Sequence, residues 1–156
     1  MGHAEKDMNA GDLCNREVVF AYRDTPLVEA ARLMREHHVG SLVVVVDRLS
    51  ERVPVGILTD RDIVVAVVAK GLDARTLTAG EVMAAELLTV HEQDGITDVL
   101  RLMREKGVRR MPVVSRSGAL AGIVTIDDVL ELVAEEMDTF VRTLRSERVR
   151  ETRVRR

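Results

Sequence analysis

The apolar positions of the chain follow a helical rhythm and then a strand rhythm, and they do so twice. Leu27, Ala30, Ala31 and Met34 fall at i, i+3, i+4 and i+7, the spacing of one helix face. Thr25 is placed to cap that helix, with Pro26 at its first position, where a missing N–H costs nothing. Ile96, Val99, Leu100 and Met103 repeat the face, and Gly107 suits the left-handed residue that closes a helix. After each helix come two β-rich runs, 41–46 with 55–58 and 110–114 with 120–124. Short strands are expected ahead of the helices, at 17–20 and 87–90, and a second helix after each pair of strands, at 60–70 and 126–137. The predicted order is β-α-β-β-α, twice.

The two halves are copies. Leu33-Met34-Arg35-Glu36 recurs 69 residues on as Leu102-Met103-Arg104-Glu105, and Gly56-Ile57-Leu58-Thr59 recurs 66 residues on as Gly122-Ile123-Val124-Thr125. The difference of three arises where Arg116-Ser117-Gly118 replaces the longer stretch from Asp47 to Val53. The chain therefore divides into repeat 1 at 8–70, a linker at 71–80, repeat 2 at 81–137 and a basic helical tail at 138–156. A copy of roughly 60 residues is marginal on its own. Leu42 to Val46 is apolar at every position, which implies burial on both faces. Together these features predict a mixed α+β fold in which the copies pack sheet against sheet, with pseudo-twofold symmetry.

Composition narrows the function. The chain is 46% hydrophobic and 31% charged, a globular mixture, but aromatic residues are only 2%: Phe20, Tyr22 and Phe140. Base-stacking platforms are thus scarce, and a net charge of −3 offers little to phosphate backbones, so nucleic acid is not expected as a partner. Cys14 is the only cysteine, which rules out an intramolecular disulfide and fits a reducing compartment. Residues 1–7 show no apolar signal segment, Lys6 stands where a myristoylation signal wants Ser or Thr, and the runs 42–46 and 63–69 are too short to span a bilayer. The expectation is a cytoplasmic protein without a membrane anchor.

Gly56-Ile57-Leu58-Thr59-Asp60-Arg61-Asp62 and Gly122-Ile123-Val124-Thr125-Ile126-Asp127-Asp128 share a form. A strand ends in Gly, two hydrophobic residues and Thr, and an Asp follows three residues later at a helix start. This form, with the helix and the segments Val39 to Val43 and Val108 to Val113 before it, resembles the tandem repeats of the CBS family over about residues 8–137. The chain is similar to the stand-alone CBS-pair proteins of bacteria. The resemblance implies a regulatory module that binds adenine nucleotides or an adenosine derivative in clefts between the repeats, requires no cofactor, and forms a homodimer through its helices.

Thr-x-x-Asp also has a physical reading of its own. A strand that delivers Thr to a helix N-terminus sets free backbone N–H groups beside its hydroxyl, a ready site for phosphate. The Asp, one turn on, is able to accept hydrogen bonds from two ribose hydroxyls. The same four residues also match a capping box, which would spend those atoms on the helix's own donors.

By the family's cleft rule, Thr59 and Asp62 face Val108, Arg109 and Arg110, while Thr125 and Asp128 face Val39, Gly40 and Ser41. Adjacent arginines suit a phosphate. The first cleft is therefore expected to take AMP, ADP or ATP, and the second a less charged derivative or nothing. Glu17 with Val19, and Glu86 with Leu88, look like the positions whose backbone meets the adenine. The base is expected between aliphatic side chains: Ile57, Leu88 and Val108 in one cleft, Ile123 in the other.

Other signals are weaker. His37 and His38 are adjacent and point apart, and with His3, His91 and Cys14 they form no zinc spacing. No phosphate-binding Gly-rich loop, Gly-x-Ser-x-Gly or Cys-His pairing is present, so no catalytic or metal-ligating residue is assigned. From Arg142 onward the tail carries Arg145, Arg148, Arg150, Arg153, Arg155 and Arg156 against Glu147 and Glu151, and Met137, Phe140, Val141 and Leu144 carry an apolar stripe into it. That tail supports a second reading, an interaction scaffold with degenerate nucleotide sites whose tail recognises an unknown downstream partner.

Overall fold

The computed structural model describes residues 8–154, with side chains described as far as residue 150. His3, Lys6 and the rest of residues 1–7, and Arg155 and Arg156, lie outside the described residues. The chain divides into a larger unit ending at Val124 and a smaller one beginning at Thr125.

In the larger unit, α1 (Ala10–Leu13) precedes β1 (Phe20–Tyr22), α2 (Leu27–Glu36), β2 (Ser41–Arg48), β3 (Glu51–Thr59) and α3 (Asp60–Ile63). The second repeat follows with α4 (Ala79–Val82), β4 (Val90–His91), α5 (Ile96–Lys106), β5 (Arg110–Val114) and β6 (Leu120–Thr125). The described residues form two three-stranded sheets, ordered β1-β2-β3 and β4-β5-β6, so the α+β duplication read from the sequence is present. β1 runs parallel to β2, with Phe20 beside Val43, and β4 parallel to β5, with Val90 beside Val113. β2 and β3 form an antiparallel hairpin with an irregularity between Val44 and Val45. Leu42, Val43, Val44 and Val45 are all fully buried, so both faces of β2 are covered.

Each sheet has its own core. Leu27, Ala30, Leu42, Val44, Leu58 and Val67 fill the first; Val90, Val99, Met103, Met111, Val113 and Val124 fill the second. The short helices cross over between them. Ala10 of α1 and Cys14 just after it, at the start of repeat 1, pack into the repeat 2 core, while Ala79 of α4 packs into the repeat 1 core with Met83 against it. Repeat 1's opening segment is pinned there by reciprocal backbone bonds between Asn15 and Ile123, 2.9 Å in each direction.

Several sequence expectations shift. The leading strands lie later than 17–20 and 87–90, at 20–22 and 90–91, because the backbone at Asn15 is drawn to Ile123 and pairing with β2 begins only at Phe20. Thr25 does not cap α2: its Oγ1 accepts the Tyr22 N–H at 2.9 Å, Pro26 takes the cap position, and the Leu27 N–H is satisfied by the Leu77 carbonyl at 2.9 Å. Ala31 is exposed and Leu33 takes its place against the core. The helix expected over 60–70 is regular only to Ile63. Val64–Val68 widens into a π turn, with the Ala69 N–H on the Val64 carbonyl at 2.8 Å. Five β-branched residues in six positions crowd a regular turn there. The linker 71–80 contains a 3₁₀ turn, Ala74–Thr76, and the start of α4.

The smaller unit is one helix, α6 (Ile126–Val154), 29 residues long, so the segments read as repeat helix and tail are continuous. No helix among the described residues is long and apolar enough to cross a membrane.

Candidate functional site

β3 ends at Thr59, whose extended backbone (φ −108°, ψ 159°) turns directly into α3. The capping box expected there is formed: Thr59 Oγ1 accepts the Asp62 N–H at 3.1 Å, and Asp62 Oδ2 accepts the Thr59 N–H at 2.8 Å. The cap uses only part of each side chain. Among the described residues the Thr59 hydroxyl proton is donated to nothing, and Asp62 Oδ1 has no partner. Both residues are half-buried.

Beyond them lies a hollow of about 440 Å³, lined by Ile57, Thr59, Asp60, Arg61 and Asp62 from repeat 1 and by Ala84, Glu86, Leu87, Leu88, Gly107, Val108, Arg109 and Arg110 from repeat 2. The volume is in the range of small-molecule sites, roughly 300–1,000 Å³. All eight residues assigned to the first cleft from sequence line this one hollow. The Ala84 N–H holds the repeat 2 segment to β3 through the Ile57 carbonyl at 3.1 Å. Gly107 closes α5 in the left-handed conformation (φ 65°), which turns the chain so that Val108, Arg109 and Arg110 enter the rim. The Arg110 guanidinium makes no ion pair among the described residues. The wall therefore combines two arginines, Arg109 and Arg110, with the aliphatic side chains of Ile57, Leu88 and Val108. Asp60, Arg61, Ala84, Leu87 and Gly107 also line it and were not assigned from sequence, although each stands within two residues of one that was.

The residues assigned to a second cleft are placed differently. Glu17, Val19 and Val39 line a hollow of about 580 Å³ with Asn15, Val18, Phe20, Leu33 and His37. Gly40 and Ser41 do not line it: the Gly40 carbonyl accepts the Asp60 N–H at 3.0 Å, and Ser41 pairs with Thr59 across the hairpin. Ile123 is held in its backbone pairing with Asn15. Thr125 and Asp128 begin the smaller unit as a capping box in which the Thr hydroxyl is also spent, donating to Asp128 Oδ2 at 2.8 Å. The two Thr–Asp pairs thus differ in one proton.

A roomier hollow, about 690 Å³, lies elsewhere, lined by Arg16, Phe20, Tyr22, Asp47, Arg52 and Ala121 among others. Several of its polar groups are already engaged. Arg16 pairs with Glu92 at 2.7 Å, the Tyr22 hydroxyl donates to Asp47 at 3.4 Å, and Arg52 lies 4.3 Å from the Phe20 ring centre. The Glu92 carboxylate raises the Arg16 pKa above its ordinary value. Among the described residues no group of three or more His, Cys, Asp or Glu is placed to hold a metal ion.

The CBS domain family model matches residues 10–69 and 79–135, and the chain belongs to that family. It is 40% identical over 126 residues to hypoxic response protein 1 of Mycobacterium tuberculosis, covering 81% of this chain and 85% of that protein. A crystal structure of that protein with two coordinated zinc ions matches at a TM-score of 0.68 and 39% identity, covering 79% of this chain and 97% of the other. The CBS domain pair of protein MJ0100, solved with 5′-methylthioadenosine and S-adenosyl-L-methionine, matches at 0.70 and 26% identity over 82% of this chain and 97% of its own. The cytosolic domain of the Mg²⁺ channel MgtE, solved with ATP, matches at 0.67 and 29% identity over 81% of this chain and 49% of its own.

Proposed function

We propose that this chain is a non-catalytic regulatory module that binds an adenine nucleotide in the hollow beyond Thr59 and Asp62. One observation carries the reading: side chains from both repeats, chosen for ribose, phosphate and base, line a single hollow whose Thr hydroxyl proton and Asp oxygen are unspent. The ribose hydroxyls meet Asp62 Oδ1, the phosphate meets Arg109 and Arg110 in charge-assisted bonds, and the base lies among Ile57, Leu88 and Val108. Two structural neighbours solved with adenosine-type ligands support the ligand class. The Thr125–Asp128 pair, whose hydroxyl proton is already committed, ranks second. The module works as a homodimer in a reducing, cytoplasmic setting, and its output is the difference in nucleotide affinity between its conformations.

A thermal-shift screen against adenosine, AMP, ADP, ATP and S-adenosylmethionine tests the reading. A true ligand stabilises by RT ln(1 + [L]/Kd), about 2.7 kcal/mol at a hundredfold excess over Kd. Flat melting across all five favours the scaffold reading, in which the tail does the recognising.

A further inference from the structure

The apolar stripe of α6 takes no part in the site. Ile126, Leu130, Val133, Met137, Phe140 and Leu144 follow one another at alternating steps of four and three residues, the 3.5-residue period of a coiled-coil seam. Leu130, Val133, Met137, Phe140 and Leu144 are 57, 51, 58, 63 and 60% exposed. Five large apolar side chains, each more than half in water along one line, mark a surface that a partner covers.

Charge says which partner. Residues 126–138 carry Asp127, Asp128, Glu131, Glu135, Glu136 and Asp138 and no basic residue; residues 139–150 carry Arg142, Arg145, Arg148 and Arg150 against Glu147. The helix dipole favours such an order, but its effect fades within the first and last turns. Glu135, Glu136 and Asp138 stand in the third and fourth turns, so the dipole does not account for them.

We propose that α6 pairs antiparallel with α6 of a second copy of this chain. This deepens the homodimer reading above, on which it rests, by naming the element and its direction. Met137 of one copy then packs beside Phe140 of the other, and Val133 beside Leu144. Each acidic half lies along the basic half of the second copy, with Asp127 and Arg148 at the positions that flank the seam. Parallel pairing would lay the acidic half of one helix along the acidic half of the other.

Cysteine cross-linking of the full chain, with light scattering alongside, tests the proposal. Val133→Cys and Leu144→Cys are each oxidised alone and then as an equimolar mixture, with wild type setting the background from buried Cys14. The expected result is a disulfide-linked dimer in the mixture and little above background in either variant alone. Met137→Asp and Phe140→Asp, at exposed positions, should raise the dimer dissociation constant at least tenfold without loss of helical circular dichroism. Self-linking of the single variants indicates parallel pairing and overturns the proposal. A dimer that persists in the Asp variants shows contact elsewhere, which overturns the proposal and spares the homodimer. A wild-type monomer overturns both.

Discussion

Gly122 of β6 lies directly against Cys14, the residue that follows α1. A Cβ built on Gly122 would stand 2.5 Å from the Cys14 sulfur and 2.9 Å from the Asn15 carbonyl oxygen. Gly56 holds the equivalent place in repeat 1, against the side chain of Met83, the residue that follows α4. The glycine that opens each Gly-hydrophobic-hydrophobic-Thr segment is thus where the crossed-over helix of the other repeat presses on the strand.

The two contacts differ in what is able to yield. All three of Gly56's nearest neighbours are atoms of the flexible Met83 side chain, whereas Gly122 also meets backbone. Gly122→Ala should destabilise by about 2–3 kcal/mol, the upper part of the overpacking range, and Gly56→Ala by about 1 kcal/mol or less. Urea unfolding of both variants checks the order. Equal losses would mean that the Asn15 backbone moves as readily as a methionine.

Leu49 and Ser50 form the two-residue turn of the β2–β3 hairpin with φ of 48° and 66°, and Leu49 is 99% exposed. Positive φ at both central positions is the mirror-image turn that favours Asn-Gly. The double change Leu49→Asn with Ser50→Gly should stabilise by about 1 kcal/mol, read as a rise in Tm by calorimetry. A fall in Tm would show that Leu49 has a contact the monomer does not reveal.

His38 (φ 54°) and Gly107 (φ 65°) end the equivalent helices in the same left-handed conformation, and no atom lies within 4 Å of a Cβ built on Gly107. The cost at this position is therefore backbone strain alone. Gly107→Ala should lose about 1 kcal/mol and His38→Gly should gain a similar amount. Denaturant midpoints of the pair measure this, and shifts of the same sign would refute it.

The duplication was legible because tetrapeptides such as Leu33–Glu36 and Leu102–Glu105 survive in both copies, and the helix faces because Leu27, Ala30 and Met34 keep their period. The crossed-over helices were not. Asn9-Ala10-Gly11-Asp12-Leu13-Cys14 and Thr78-Ala79-Gly80-Glu81-Val82-Met83 stand 69 residues apart and match in pattern, but four-residue helices are too short to show periodicity. Thr25 misled because its position before Pro26 fits a cap, while its hydroxyl serves the turn after β1 instead. At the candidate site, the sequence named the motif and its facing residues. It carried no sign of which hydrogen bonds the motif would keep for itself, since Thr59 and Thr125 stand in the same motif and differ in where one proton points.

The most direct measurement is a calorimetric titration of AMP into wild type, Asp62→Asn and Arg110→Ala. The amide that Asp62→Asn puts in place of the carboxylate still offers a carbonyl oxygen to the Thr59 N–H, so the cap is retained. Arg110 has no ion pair to lose among the described residues. Each variant should fold with near wild-type stability and bind AMP about tenfold or more weakly, as expected for the loss of one charge-assisted hydrogen bond. Wild-type affinity in both variants would contradict a nucleotide held between Asp62 and Arg110.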